Sequence, residues 1–250
     1  MKKNTFYIYG RQPIKELLER QPRLIKRIYI RETGTSDFFH QVIAVAKAQK
    51  VPIQKIPEKK IIELVGDVND QGIVADIKEF AYHDFHEWLN GLSSKKRHAV
   101  LLLDEIEDPH NVGAIIRSAA AFGISAVLLP SHRQAGVTAT VFKTSAGAVT
   151  ALPIIQIGNV NQTIEILKKN DFWIAGLAGD KGSTPLHDQV FDTSMVFIIG
   201  NEGKGIREKT KELCDFLISI PISPAVESLN ASVASAVVAY EWRNAQKKNK

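Results

Sequence analysis

Residues 100–122 read Val-Leu-Leu-Leu-Asp-Glu-Ile-Glu-Asp-Pro-His-Asn-Val-Gly-Ala-Ile-Ile-Arg-Ser-Ala-Ala-Ala-Phe. An apolar run of strand length ends in an acidic loop containing Pro109. A helical pattern follows, and Asn111 stands where its N-cap is expected. Arg117 is the only charged residue of that helix, and the positions three and four away are Gly113, Ala114, Ala120 and Ala121. Neighbours at those spacings share a helix face, so almost no side chain surrounds the cation. An arginine reaching into solvent over an Ala-rich face accounts for this, and so does a cation kept clear for a ligand.

The same strand-loop-helix pattern recurs on the carboxyl side. Apolar runs at 126–129, 154–157, 172–177, 195–199 and 216–220 alternate with helical patterns at 161–169, 207–213 and from Ser228 to about Gln246. Continuous apolar strands alternating with helices predict an α/β fold with a mostly parallel sheet covered on both faces. The first 80 residues form a second, smaller α/β set, with strands at 6–9, 25–30, 51–56 and 73–77 and helices at 13–19, 36–49 and 58–64. Between them, 81–97 shows only a short helical patch around Phe85, Trp88 and Leu89 and closes on Gly91-Leu-Ser-Ser-Lys-Lys-Arg97, the composition of a linker. The expected organisation is therefore 1–80, a linker over 81–97, and 98–250.

A 250-residue chain with 44% hydrophobic and 24% charged residues is an ordinary globular composition. The net charge of +5 suits a polyanionic partner without requiring one. Basic residues recur early, at Lys2, Lys3 and Arg11, and Arg23, Lys26, Arg27 and Arg31 surround one strand, either as a phosphate-contacting rim or as simple solvation. Cys214 is the sole cysteine, which excludes an intrachain disulfide and fits a packed thiol in a reducing compartment. No leader-like or membrane-spanning run is seen, so a soluble, cytoplasmic protein without a membrane partner is expected. His83, His86 and Glu87 match no zinc-site spacing, and no metal is expected.

Ligands of open α/β sheets bind beyond the carboxyl ends of strands, which points to the loops after residues 103, 199 and 220. A nucleotide hydrolase would need G-x-x-x-x-G-K-[ST], but Gly203-Lys204 has Ile198 at the first glycine position and Gly205 after it. No G-x-G-x-x-G follows a strand either. Gly200-Asn-Glu202-Gly-Lys-Gly205 is a three-glycine loop around one carboxylate, where close backbone approach to a ligand is possible. Ser228-Leu-Asn230 follows a loop with two prolines and supplies more than a helix cap requires.

Asn111-Val-Gly-Ala-Ile-Ile-Arg117, Gly200 to Gly205, and Ile220-Pro with Ser228-Leu-Asn-Ala-Ser232 together resemble the three motifs of the SpoU/TrmH family of RNA ribose 2′-O-methyltransferases, of the SPOUT superfamily. The Tyr-Ile-Tyr-Gly opening and Asn69-Asp-Gln-Gly-Ile73 are similar to the ribosomal-protein-like RNA-binding domain of the bacterial 23S rRNA guanosine-2′-O-methyltransferase branch. The resemblance implies a trefoil-knotted catalytic domain over 98–250, S-adenosylmethionine as cofactor, RNA as partner and a homodimer. By motif it carries Asn111, Arg117, Glu202, Ser228 and Asn230 over as the catalytic set. Gly179, Gly200, Ile220 and Leu229 would line the cofactor, chiefly through backbone groups. A transfer-RNA methyltransferase and a non-catalytic RNA-binding assembly factor are the alternatives.

Overall fold

The computed structural model describes residues 6–34, 36–78, 80–180 and 182–248; Lys2, Lys3 and Lys250 lie outside the described residues. Short apolar runs make β1 (Phe6–Tyr9), β2 (Ile25–Arg31), β3 (Ile53–Ile56) and β4 (Ile73–Ile77). They form a mixed sheet of order β1-β4-β2-β3, in which β4 runs antiparallel to both neighbours and β2 parallel to β3. The helices are α1 (Arg11–Arg20), α2 (Asp37–Ala48) and α3 (Glu58–Val65). Ile14, Leu17 and Leu18 recur at helical spacing on α1, as Phe39, Val42 and Ala46 do on α2, and all six are buried.

One compact unit takes the chain as far as Ala81 together with Val137–Ala151; the other takes Tyr82–Gly136 and the chain from Leu152 onward. Residues 82–97 of the segment expected as a linker thus fall in the second unit. His83 N donates to Ile154 O at 2.9 Å. Asp84 caps α4 (Phe85–Asn90) by accepting from Glu87 N at 2.8 Å. Phe85, Trp88 and Leu89, the apolar side chains of that patch, pack against a core containing Val100, Ile155 and Ile164.

All six residues of β5 (Ala99–Asp104) are buried. The helix that follows, α5 (Pro109–Phe122), begins earlier than its sequence suggested: Asp108 is the N-cap and accepts from His110 N at 2.8 Å. Proline fits the first helical position, where no N–H is needed, so Asp108-Pro109 sets the start and Asn111 falls inside the first turn. Gly123, at φ +75°, closes the helix in the left-handed conformation. After β6 (Ala126–Pro130), α6 (Ala139–Thr144) belongs to the first unit. There the fully buried Phe142 meets Phe6 and Phe80 edge-on, at 6.3 and 5.9 Å between ring centres.

The rest of the chain supplies β7 (Ile154–Ile157), α7 (Val160–Lys168), β8 (Phe172–Leu177), β9 (Thr184–Pro185), β10 (Ser194–Gly200), α8 (Glu208–Lys211), β11 (Phe216–Ser219) and α9 (Ala231–Lys248). The second sheet has the order β7-β6-β5-β10-β8-β11-β9, and every strand pair in it is parallel. The sheet is therefore an α/β parallel sheet, as the alternation required. The two-residue β9 was not anticipated, and α8 is a single turn where residues 207–213 had suggested a longer helix. α9 lies along α5. It is fixed from below by Trp242, 3% exposed, whose ring is 6.1 Å from Phe191 and 6.2 Å from Phe197. Full burial of one large apolar side chain contributes about 1.5–3 kcal/mol, so this aromatic trio is a main anchor of the carboxyl-terminal helix.

Candidate active site

Because β8, β10 and β11 are parallel, their carboxyl ends fall on one edge of the sheet. Their loops border a cavity of ≈ 250 Å³ that includes Gly179, Gly200, Glu202, Ile220, Ser228 and Leu229. All four residues expected to line a cofactor are there, with two of the expected catalytic set. Gly200 is dictated by space: a Cβ would strike the backbone of Gly205 and Ile206. The chain folds back at this point, with Asn201 N donating to Gly205 O at 3.0 Å and Gly205 N to Asn201 O at 2.8 Å. Asn201 Oδ1 accepts from Gly203 N and Lys204 N, at 3.0 and 3.2 Å, and fixes the turn from inside.

Two residues at the end of β5 hold this loop from the other side. Asp104, fully buried, accepts from Arg207 N at 3.1 Å, Arg207 Nε at 2.7 Å and Arg207 Nη2 at 2.6 Å. Charge-assisted contacts of this kind are about twice as strong as neutral ones. Glu105 takes a left-handed φ of +63°, and its carbonyl accepts from Asn201 Nδ2 at 2.9 Å. Its carboxylate faces Arg133 Nη1 at 3.7 Å and Arg207 Nη1 at 3.9 Å. Sequence reasoning missed Asp104, Glu105, Arg207 and the anchoring amide of Asn201. A buried carboxylate at a strand end beside an arginine that opens a loop was the available signal.

The polar centre is a three-residue cluster. Asn111, 8% exposed, donates through Nδ2 to Glu202 Oε1. Asn230 Nδ2 donates to Asn111 Oδ1 and to Glu202 Oε1, each at 3.0 Å. Asn230 Oδ1 accepts from Ser232 N at 2.9 Å and Ser232 Oγ at 2.5 Å, so the same side chain caps α9 and aims its amide at the cluster. Three residues from three separated motifs thus share one hydrogen-bonded group. Arg117 is not brought to it. Six residues beyond Asn111 on α5, it points from a different helix face, is exposed, and has no hydrogen bond or ion pair among the described residues.

Charged side chains ring the rest of the cavity. Lys211 Nζ lies 2.5 Å from Asp180 Oδ2, and that bond holds the ammonium pKa above its ordinary value, against desolvation that would lower it. Cys214 donates to Thr210 O at 3.5 Å, and burial pushes its thiol up to about 11, so it is a protonated packing residue at neutral pH. Among the described residues no three His, Cys, Asp or Glu side chains group as metal ligands, and no helix is long and apolar enough to cross a membrane.

In the first unit, two of the four cations around β2 carry carboxylate partners: Lys26 pairs with Asp76 at 3.4 Å, and Arg31 with Glu58 and Asp70 at 3.0 and 3.3 Å. The expected phosphate rim is to that extent neutralised within the domain.

Residues 98–240 match the family model described as the SpoU rRNA methylase family, and residues 7–83 match that of RNA 2′-O ribose methyltransferase substrate binding. A Staphylococcus epidermidis protein assigned by family to tRNA/rRNA methylation, of TrmH type, is 37% identical over 94% of this chain and 93% of its own length. The chain belongs to the SpoU family of RNA methyltransferases, with a substrate-binding domain ahead of the methylase domain. The fold is shared with the SpoU methyltransferase AviRb of Streptomyces viridochromogenes in complex with AdoMet, at a TM-score of 0.80 and 20% identity over 98% of this chain and 92% of that one. It is shared also with the AdoMet-bound rRNA methyltransferase of Sinorhizobium meliloti, at 0.78 and 22% over 96% and 87%.

Proposed function

We propose that the protein transfers a methyl group from S-adenosylmethionine to a ribose 2′-hydroxyl of RNA, the target being a guanosine of 23S ribosomal RNA. The observation that carries this is the double position of Glu202. Its residue borders the strand-end cavity, while its carboxylate accepts both amides of Asn111 and Asn230, so a ligand slot and a polar centre share one wall. The slot suits the cofactor. Gly179 and Gly200 leave room for backbone approach, Ile220 and Leu229 offer apolar surface for a purine, and Asp180 and Glu227 offer acceptors for hydroxyl and ammonium groups.

When bound, the sulfonium cofactor supplies an activated methyl group whose leaving group is a neutral thioether. The protein's task is then to align and to manage one proton, and alignment alone can contribute ~7–11 kcal/mol. Asn111, Ser228 and Asn230 orient the ribose, and Glu202 fixes the two amides. Arg117 stays protonated in a protein, which excludes it as a base. Instead it pairs with the phosphate of the target nucleotide, which extends beyond the cluster that seats the ribose. Its exposed, unpartnered guanidinium supports that assignment. The reading includes a trefoil-knotted methylase domain, a homodimer and a cytoplasmic location.

The deciding experiment is tritium transfer from labelled S-adenosylmethionine to unmodified ribosomal RNA and, separately, to bulk transfer RNA, with the labelled nucleotide identified after digestion. Label in a ribose-methylated guanosine of large-subunit RNA is expected. Label in transfer RNA alone would keep the chemistry and move the substrate. No cofactor binding and no label would favour a non-catalytic RNA-binding factor.

A further inference from the structure

The first unit has a solvent-open cavity of ≈ 530 Å³ bordered by Arg11, Arg31, Phe39, Asn69, Gln71 and Gly72. Its two arginines are in different electrostatic states. The guanidinium of Arg11 lies 5.2 Å from the ring centres of both Phe38 and Phe39, and its backbone N–H donates to Gln71 Oε1 at 2.8 Å. Aromatic faces hold a cation in place without cancelling its charge. No carboxylate pairs with Arg11 among the described residues, so the cation is positioned and still available. Arg31 is neutralised at both ends, by Glu58 and Asp70. Its Nε, however, is buried with no acceptor among the described residues.

The opposite wall is held in an unusual conformation. Gln71 has φ +56° and Gly72 φ +80°, and Asp70 Oδ1 accepts from Gly72 N at 2.6 Å. A Cβ at Gly72 would come within 3.1 Å of Phe39 Cζ. Backbone strain of this kind at a non-glycine residue clusters at ligand-holding sites. The cavity therefore presents one uncancelled guanidinium and two carboxamides beside an apolar wall. That set matches an anion joined to a planar group with polar edges. We infer that this cavity seats a single unpaired nucleotide of the RNA substrate, its phosphate on Arg11 and the polar edge of its base toward Asn69. A paired nucleotide would keep its base edges inside the duplex, beyond reach of the cavity floor. The inference rests on the RNA-methyltransferase reading above.

The test uses the full chain with Arg11→Ala, Arg11→Lys and Asn69→Ala, and Lys59→Ala as a surface-charge control. The probes are a twelve-nucleotide single-stranded RNA of mixed sequence and a duplex of equal length, titrated at several salt concentrations. Arg11→Ala should weaken the single strand about tenfold and lower its salt slope by roughly 0.7, as loss of one phosphate contact to a single strand does. Arg11→Lys should restore the slope and only part of the affinity, and Asn69→Ala should weaken binding without changing the slope. Duplex binding should be unaffected by all of them, and Lys59→Ala should behave as the parent. Single-strand binding insensitive to Arg11→Ala and Asn69→Ala overturns the cavity assignment, and equal losses on strand and duplex overturn it in favour of a general basic surface. Calorimetry of S-adenosylmethionine binding, run in parallel, keeps the two readings apart: a parent chain that binds none sinks the methyltransferase reading, while the RNA titrations judge the cavity by themselves.

Discussion

Asn111 and Arg117 sit on one helix, yet the first is buried in a hydrogen-bonded cluster and the second is exposed with nothing to hold. That contrast separates what each substitution does. Arg117→Ala should leave stability within about 0.5 kcal/mol in urea denaturation, since no native contact is lost. Methyl transfer should fall about a hundredfold, the scale of one lost charge-stabilising donor. Arg117→Lys should recover only part of it, because an ammonium cannot reproduce the planar fork; near-normal turnover would sink the bidentate role. The motifs picked out residues that the fold gathers at one cavity and one cluster, Arg117 apart, but their geometry was not legible. Asn111 read as a cap because residue type alone cannot tell a capping side chain from one a turn further in. Asp108 followed by proline decides the matter. Cys214 makes a second residue-level prediction. Its folded pKa of about 11 exceeds the ordinary 9.0, so the folded state binds the thiol proton more tightly. Its stability contribution is therefore complete below pH 9 and lost as pH rises toward 11. Alkylation by iodoacetamide at pH 8 should run about a hundredfold slower in the folded chain than in urea, following the thiolate fraction.

Among elements, the periodicity of 2 and 3.6 carried the reading far: β1, β4, β7 and β8 coincide with the apolar runs that predicted them. The failures have local causes. α8 starts only at Glu208 because Arg207 is held extended, at ψ 141°, by giving both its backbone N–H and its guanidinium to Asp104. No pattern within residues 207–213 could disclose a partner about a hundred residues away. Asp104→Asn should test that clamp. It removes the charge from a buried, triply bonded acceptor, while the released guanidinium is half exposed and can be solvated, so the loss should be about 2 kcal/mol rather than the larger figure for a wholly buried pair. The same variant should weaken S-adenosylmethionine binding measured by calorimetry, since the clamp sets the Gly200–Gly205 turn. Unchanged affinity with lowered stability would make Asp104 a packing residue alone.

The molecule divides into two compact units, and Val137–Ala151, whose Ala, Gly, Ser and Thr gave no hint of which core it would join, belongs to the first. Only a three-dimensional neighbour such as the Phe6 and Phe80 rings around Phe142 settles membership. Assembly belongs to this scale too. Val233 and Tyr240, seven residues apart on one face of α9, are 49% and 52% exposed, and Phe122 of α5 meets Tyr240 edge-on at 5.6 Å between ring centres. If this face meets a second copy, Val233→Asp should halve the mass found by sedimentation equilibrium and cut methyl transfer with it. A parent chain that sediments as a monomer would remove the dimer from the reading.

The placement of β10 bears on how the protein is made. It lies between β5 and β8, both earlier in the chain, and its register pairs Met195 with Ala99 and Val196 with Ile174. On a ribosome this central strand is thus synthesised after both of its neighbours, and β5 must wait nearly a hundred residues for its second partner. Contacts closed over so long a separation fold slowly. A nascent chain halted before Ser194 carries an open, apolar strand edge of the kind that recruits chaperones or other chains.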